Sequence, residues 1–222
     1  MRIAALPALL ATVALSGCGA VPERAGEAPT RPSGSAQALP EPSREARQCL
    51  ADLGSTRAQF APLPDKLQAG GCSTRNTVRL SALYGDTGPF DVTNLTAVAC
   101  PVAKDFAAWA RFGVDRAARQ ILGSGLERIE TMGSYSCRNV AGTNRLSAHS
   151  KAQAVDVSGF VLTDGRRITV QSGWNASSEE RRFLRTVHSS ACKRFGTVLG
   201  PDYNAAHRDH LHLEFGRGSF CR

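Results

Sequence analysis

The 222-residue sequence has no Cys-x-x-Cys pair, no glycine-rich phosphate loop, no Gly-x-Ser-x-Gly turn and no internal repeat. The first absence argues against a zinc site built from thiolates. The second argues against a nucleotide cofactor and the third against a serine nucleophile on a hydrolase elbow. Beyond Ile3 to Leu15 no segment is apolar and long enough to cross a bilayer, and that run is itself too short for a stable span. What is present is a basic chain with a net charge of +8, seven cysteines and five histidines.

The start of the chain gives those cysteines a compartment. A charged head, Met1-Arg2, precedes the apolar run, and Leu15-Ser16-Gly17-Cys18 follows it. The tetrapeptide resembles the lipobox of bacterial lipoproteins. That resemblance implies removal of residues 1–17, lipid on Cys18 and a periplasm-facing protein of the cell envelope. Gly19 carries no retention signal, which leans toward the outer membrane. Six cysteines then remain for an oxidising compartment, and three disulfides are expected. Neighbour pairing would join Cys49 to Cys72, Cys100 to Cys137 and Cys192 to Cys221. Residues 18–48 are rich in Pro, Ala, Glu, Arg and Ser and read as a flexible tether. Residues 49–222 have globular composition and the length of one domain, expected to act as a monomer. The positive charge suits anionic lipid or wall polymer. An exported chain seldom meets nucleic acid, and the scattered Lys and Arg residues are equally compatible with simple solubility.

Periodicity supplies the elements. After Cys100-Pro101, residues Val102, Phe106, Trp109, Ala110, Gly113, Ala117 and Ile121 recur at helical spacing, with a break expected near Gly113. Ser177-Ser-Glu-Glu180 reads as a capping box ahead of Phe183, Val187, Ala191 and Phe195. Strands are expected at 126–135, 154–160, 167–170 and 210–215, with Asp164-Gly165 as the turn between the middle two. In the last strand, alternation puts Leu211, Leu213 and Phe215 on one face and His210, His212 and Glu214 on the other.

Chemistry concentrates in Ser147-Ala-His149 with Asp156 seven residues on, and in Asp209-His210-Leu-His212. A hydrolytic zinc site needs three protein ligands of imidazole and carboxylate type and an open fourth position. His149, Asp156 and His212 supply that set. Ser147 is expected to cap the turn before His149, His188 to be an ordinary helical histidine, and His207 to lie on the surface.

The same segments resemble the superfamily of zinc D-alanyl-D-alanine carboxypeptidases and peptidoglycan endopeptidases, and within it the bacterial extensin-like C-terminal domain family. Tyr135-Ser-Cys137-Arg138, Leu146-Ser-x-His149, Trp174 and the stretch Phe195 to Asn204 carry the match together with Asp209-His210-x-His212. One departure is Ala152, where the superfamily usually has glycine. The resemblance implies an α+β fold of the D-Ala-D-Ala peptidase or hedgehog type, with a small, mainly antiparallel sheet, helices on one side and a zinc cleft on the other. It implies His149, Asp156 and His212 as Zn2+ ligands, Asp209 as general base, His210 as donor to an oxyanion and Arg138 as a substrate or oxyanion partner. The expected substrate is the peptidoglycan stem peptide or its crosslink. The alternative is a zinc-containing lipoprotein that binds cell wall without cutting it. Asp209 is expected ahead of the last strand or at a bulge, because within an unbroken strand it would point away from His210 and His212.

Overall fold

Helix α1 (Arg44–Ser55) begins inside the stretch expected to be tether. Ser43 caps it, its hydroxyl accepting from the amide of Ala46 at 3.1 Å, and Ala46, Cys49 and Leu53 form its buried stripe. Only Ala46 of that stripe falls ahead of residue 49, too little to lift the local composition. A boundary drawn at residue 49 therefore cuts the helix in half. The computed structural model describes residues 42–176 and 178–222. The expected leader, Cys18, the tether up to residue 41 and Ser177 of the expected capping box lie outside the described residues.

Six strands follow α1: β1 (Gln59–Pro62), β2 (Lys66–Leu67), β3 (Ser73–Thr74), β4 (Thr77–Tyr84), β5 (Pro89–Val92) and β6 (Val98–Ala99). Helix α2 (Cys100–Trp109) has its proline in the first turn, as expected. It does not break near Gly113. The chain widens there into π-helix over Ala110–Asp115 and again over Ala118–Leu122, and ends at Gly123 with φ 71°. A Cβ at Gly113 would collide with Ser190, so glycine there allows close helix approach instead of ending the helix.

Next come β7 (Leu126–Gly133), β8 (Ala154–Leu162), β9 (Arg167–Thr169), the short α3 (Val170–Gly173), α4 (Ser178–Ala191), β10 (Thr197–Leu199), β11 (Leu211–Glu214) and β12 (Phe220–Cys221). Ten strands form one sheet, larger than expected, in the order β1-β4-β5-β7-β8-β11-β10-β12, with β6 on β4 and β9 on β8. Only β5 with β7 and β10 with β12 pair in parallel among these neighbours. The protein is thus α+β with a mostly antiparallel sheet. Asp164-Gly165 turns β8 into β9 as expected, with Gly165 at φ 86°.

The core fixes which face of the sheet is free. Val155, Val157, Phe160 and Leu162 of β8 join Leu211 and Leu213 of β11 in the main apolar cluster with Phe183 and Val187 of α4. Trp109 sits at its centre, with ring centroids 5.4, 6.3 and 6.5 Å from those of Phe106, Phe160 and Phe195, and its indole N–H donates to the Val187 carbonyl at 2.9 Å. Phe215, expected with the apolar face, lies past β11 and is 41% exposed.

Two of the three expected disulfide pairings are corrected. Cys49 bonds Cys100, tying α1 to the start of α2, and Cys72 bonds Cys137, while Cys192 bonds Cys221 as expected. Helix α1 packs on α2, which brings together two cysteines 51 residues apart. Sequence proximity carries no knowledge of that contact.

Candidate metal centre

Strand β8 lies between β7 and β11, and the register sets Asp156 directly opposite His212. With Val155, Val157, Leu211 and Leu213 committed to the core, alternation turns Asp156, His212 and Glu214 to the other face. The β7 register shifts at Glu130/Thr131 and Thr131/Gly133, beside Asp156, the kind of irregularity found where a sheet re-aims side chains at a site. His149 arrives from a single 3-10 turn, Ala148–Lys151, just ahead of β8. Ser147 caps that turn as expected, accepting from the His149 amide at 3.3 Å. Ala152 closes it in the left-handed region, φ 54°, where glycine is the easier residue.

The three expected ligands meet. His149 Nε2 lies 3.1 Å from His212 Nδ1 and 3.2 Å from Asp156 Oδ2, and His212 Nδ1 lies 2.9 Å from Asp156 Oδ1. The two histidines are buried and Asp156 is nearly so. Metal bonds of about 2 Å in a tetrahedron place neighbouring ligand atoms about 3.3 Å apart, close to each of these separations.

The outer nitrogens are also placed. His149 Nδ1–H donates to the Ser134 carbonyl at 2.6 Å, which leaves the Nε2 lone pair facing the cluster. His212 Nε2–H donates to Glu214 Oε2 at 3.4 Å. A carbonyl or carboxylate behind each ligating imidazole fixes its tautomer and ring orientation. Alternation in the sequence places Glu214 on this face without giving it a role. It gives no signal for the Ser134 carbonyl.

Without a metal one proton does part of a cation's work. Burial opposes charge on His212, yet the hydrogen bonds to Asp156 and Glu214 outweigh it and raise its pKa to about 9. Burial likewise opposes charge on Asp156, but the imidazoles of His149 and His212 beside it hold its carboxyl far below the ordinary range. The His212 Nδ1 proton leaves His149 Nε2 and Asp156 Oδ2 as two acceptors facing each other at 3.2 Å. A divalent cation satisfies all three atoms together, so the donor set fits zinc.

Residues 47–222 match the family described as extensin-like protein C-terminus. The chain belongs to that family. No curated protein and no solved structure matches it.

In this extensin-like domain the other expected site residues are less uniformly placed. Asp209 precedes β11, as the strand geometry requires, and its carboxylate accepts from His210 Nδ1–H at 2.9 Å. Among the described residues Asp209 makes no hydrogen bond or ion pair with His149, Asp156 or His212. His210 Nε2, by contrast, lies 3.7 Å from Asp156 Oδ1. Arg138 is exposed, on a loop closed by the Asn139–Leu146 bridge and by the bond from the Ser147 amide to the Arg138 carbonyl, 3.0 Å. Its charge reaches His207, and that of Arg145 on the same loop reaches Glu214.

His207, expected on the surface, lines the site instead. Its ring centroid is 5.1 Å from that of His210 and 5.9 Å from that of His212. Burial first, then the charges of His210 and His212, push its pKa down to about 4. Tyr203 packs edge-on against it at 5.5 Å. Trp174 is structural: it is buried, donates to Asp202 Oδ1 at 2.9 Å and lies under Arg185.

Proposed function

We propose that the chain is a zinc-dependent peptidase of the D-Ala-D-Ala peptidase and hedgehog type, hydrolysing peptide bonds in the stem or crosslink of peptidoglycan as a D,D-carboxypeptidase or endopeptidase. In this reading it works from the cell envelope, held by lipid on Cys18. The observation that carries the proposal is the triangle of His149 Nε2, His212 Nδ1 and Asp156 carboxylate, with sides of 2.9–3.2 Å and both outer imidazole nitrogens fixed.

His149, Asp156 and His212 hold the ion, and Ser134 and Glu214 orient the two rings. Zinc bound there would supply a Lewis acid and would lower the pKa of an attacking water. The chain handles the proton nearby. Because His210 gives its Nδ1 proton to Asp209, its Nε2 presents a lone pair toward the ligand cluster. His210 Nε2 is placed to accept a proton from an attacking water and to return it to a leaving amine, with Asp209 steadying the imidazolium. This arrangement moves the base role expected for Asp209 one step outward. Arg138 and Arg145 draw the substrate carboxylate to the mouth of the site.

The position of Asp209 also favours a second reading, a zinc-containing module that binds cell wall without cutting it. A carboxylate committed to His210 is not free to act as base itself. The test is to quantify zinc in the purified chain and incubate it with muropeptides, following products by mass spectrometry. Metal-dependent release of D-alanine or opening of crosslinks, lost in His149→Ala, supports the peptidase. A folded, zinc-loaded chain that is retained on peptidoglycan and turns over no muropeptide leaves only the binding module.

A further inference from the structure

The helical side of the domain carries a second concave site with its own chemistry. The π-helical stretch after α2 and the facing side of α4 border an open cleft of about 520 Å³. Four cations line it, Arg116, Arg182, Arg185 and Lys193, and no carboxylate does. Asp86 pairs with Arg116 and Asp202 with Arg185. Arg182 and Lys193 have no ion-pair partner among the described residues, so the uncompensated charge of the cleft rests on them.

Two further features indicate more than a solvated basic surface. Gln120, Thr186, Ser189 and Ser190 add a row of neutral hydrogen-bonding groups beside the cations. Phe112 is 44% exposed at the cleft, with the guanidinium carbons of Arg111, Arg116 and Arg194 at 5.0, 4.8 and 5.9 Å from its ring centroid. Phe112 and Gln120 come from the two π-helical stretches that flank Arg116, a rare conformation that recurs at functional sites. The cleft volume falls in the range of about 300–1,000 Å³ typical of small-ligand pockets.

We propose that this cleft binds a phosphorylated sugar, with the phosphate on Arg182 and Lys193, the sugar hydroxyls on the neutral row and the sugar ring against Phe112. Guanidinium and ammonium groups are the natural partners of phosphate oxygens. The hydroxyls, the amide and the half-exposed aromatic ring match a saccharide better than a bare anion. The assignment is independent of the metal centre, since none of the lining residues belongs to it.

The experiment is calorimetric titration of the purified chain with N-acetylglucosamine 1-phosphate, N-acetylglucosamine and inorganic phosphate. Three proteins are compared: the parent, Arg182→Ala/Lys193→Ala and Phe112→Ala. Thermal melting and circular dichroism confirm that each variant is folded. The phosphorylated sugar is expected to bind about tenfold or more tighter than either fragment, and each variant to weaken it by a similar factor. Inorganic phosphate binding as tightly as the sugar phosphate overturns the saccharide assignment. No binding of any probe, or unchanged binding in the double variant, overturns the site.

Discussion

If zinc replaces the proton that His212 holds in the metal-free protein, affinity must rise with pH. The pKa of His212 is raised from 6.5 to about 9. At pH 7 only about one molecule in a hundred has lost that proton, so apparent zinc affinity is about 100-fold below its high-pH plateau, or about 3 kcal/mol. Affinity should climb about tenfold per pH unit between pH 6.5 and 9 and then level off. The stability of the metal-free fold runs the other way. A raised histidine pKa stabilises fully below 6.5 and loses that contribution as pH rises through 9, a loss of about 3 kcal/mol. Asp156, with its pKa depressed, contributes above 3.8 and loses that contribution as pH falls through its folded-state value. Competition against a chelator at pH 6 to 9 gives the affinity, and calorimetry in buffers of different ionisation enthalpy counts the protons released, expected to approach one at pH 7. Denaturant melts of the metal-free chain give the stability. A zinc affinity that is flat from pH 6.5 to 8.5, or binding that releases no proton, would refute the shared-proton description of the centre.

Other consequences follow from the groups around the triangle. Glu214→Gln removes the carboxylate behind His212 and should weaken zinc binding about 10- to 100-fold; unchanged affinity in the chelator assay would show that this contact does not orient the ring. His210→Ala and Asp209→Asn should both keep zinc and lower muropeptide turnover by about 10²- to 10⁴-fold. Full activity in His210→Ala together with loss in Asp209→Asn would return the base role to Asp209. Opening the Cys72–Cys137 link with a paired Cys→Ser change frees a 65-residue separation and should cost about 4 kcal/mol of unfolding free energy. A loss below about 1 kcal/mol in urea titration would mean that the loop is already constrained in the unfolded chain. Ala152→Gly relieves about 1 kcal/mol of left-handed strain and gives up a fully buried methyl worth about 0.8 kcal/mol. Stability should therefore change by less than about 0.5 kcal/mol.

The three residues of the triangle were legible because each sits in a local pattern. His212 belongs to a strand whose alternation with Leu211 and Leu213 is visible in five residues, and Ser147 marks the turn that carries His149. What stayed hidden depends on contacts between distant segments. The disulfide partners of Cys49 and Cys72 follow from α1 packing on α2 and from where the loop ending at Cys137 lies, neither of which has a sequence period. His207 looked like a loop residue because its burial comes from Tyr203, His210 and His212 folding around it. The buried stripe of α1, Ala46, Cys49 and Leu53, was diluted by the charged and proline-rich composition around it.

The register of β8 against β11 links the two kinds of information. Pairing His212 with Asp156 requires Leu211 opposite Val157 and Leu213 opposite Val155, and all four of these apolar side chains are fully buried. A slip of one residue would send Asp156 into the helix-packed core and Val155 or Val157 to the site face. That cost holds the carboxylate and imidazole at bonding distance, so the pattern that encodes the core also encodes two corners of the triangle. The third corner is set differently. His149 sits on a single 3-10 turn, and its ring is aimed by the Ser134 carbonyl just past β7, where the β7 register has already shifted. Substitutions in the Ser134–Cys137 segment should therefore disturb the His149 corner while leaving the Asp156–His212 pair intact.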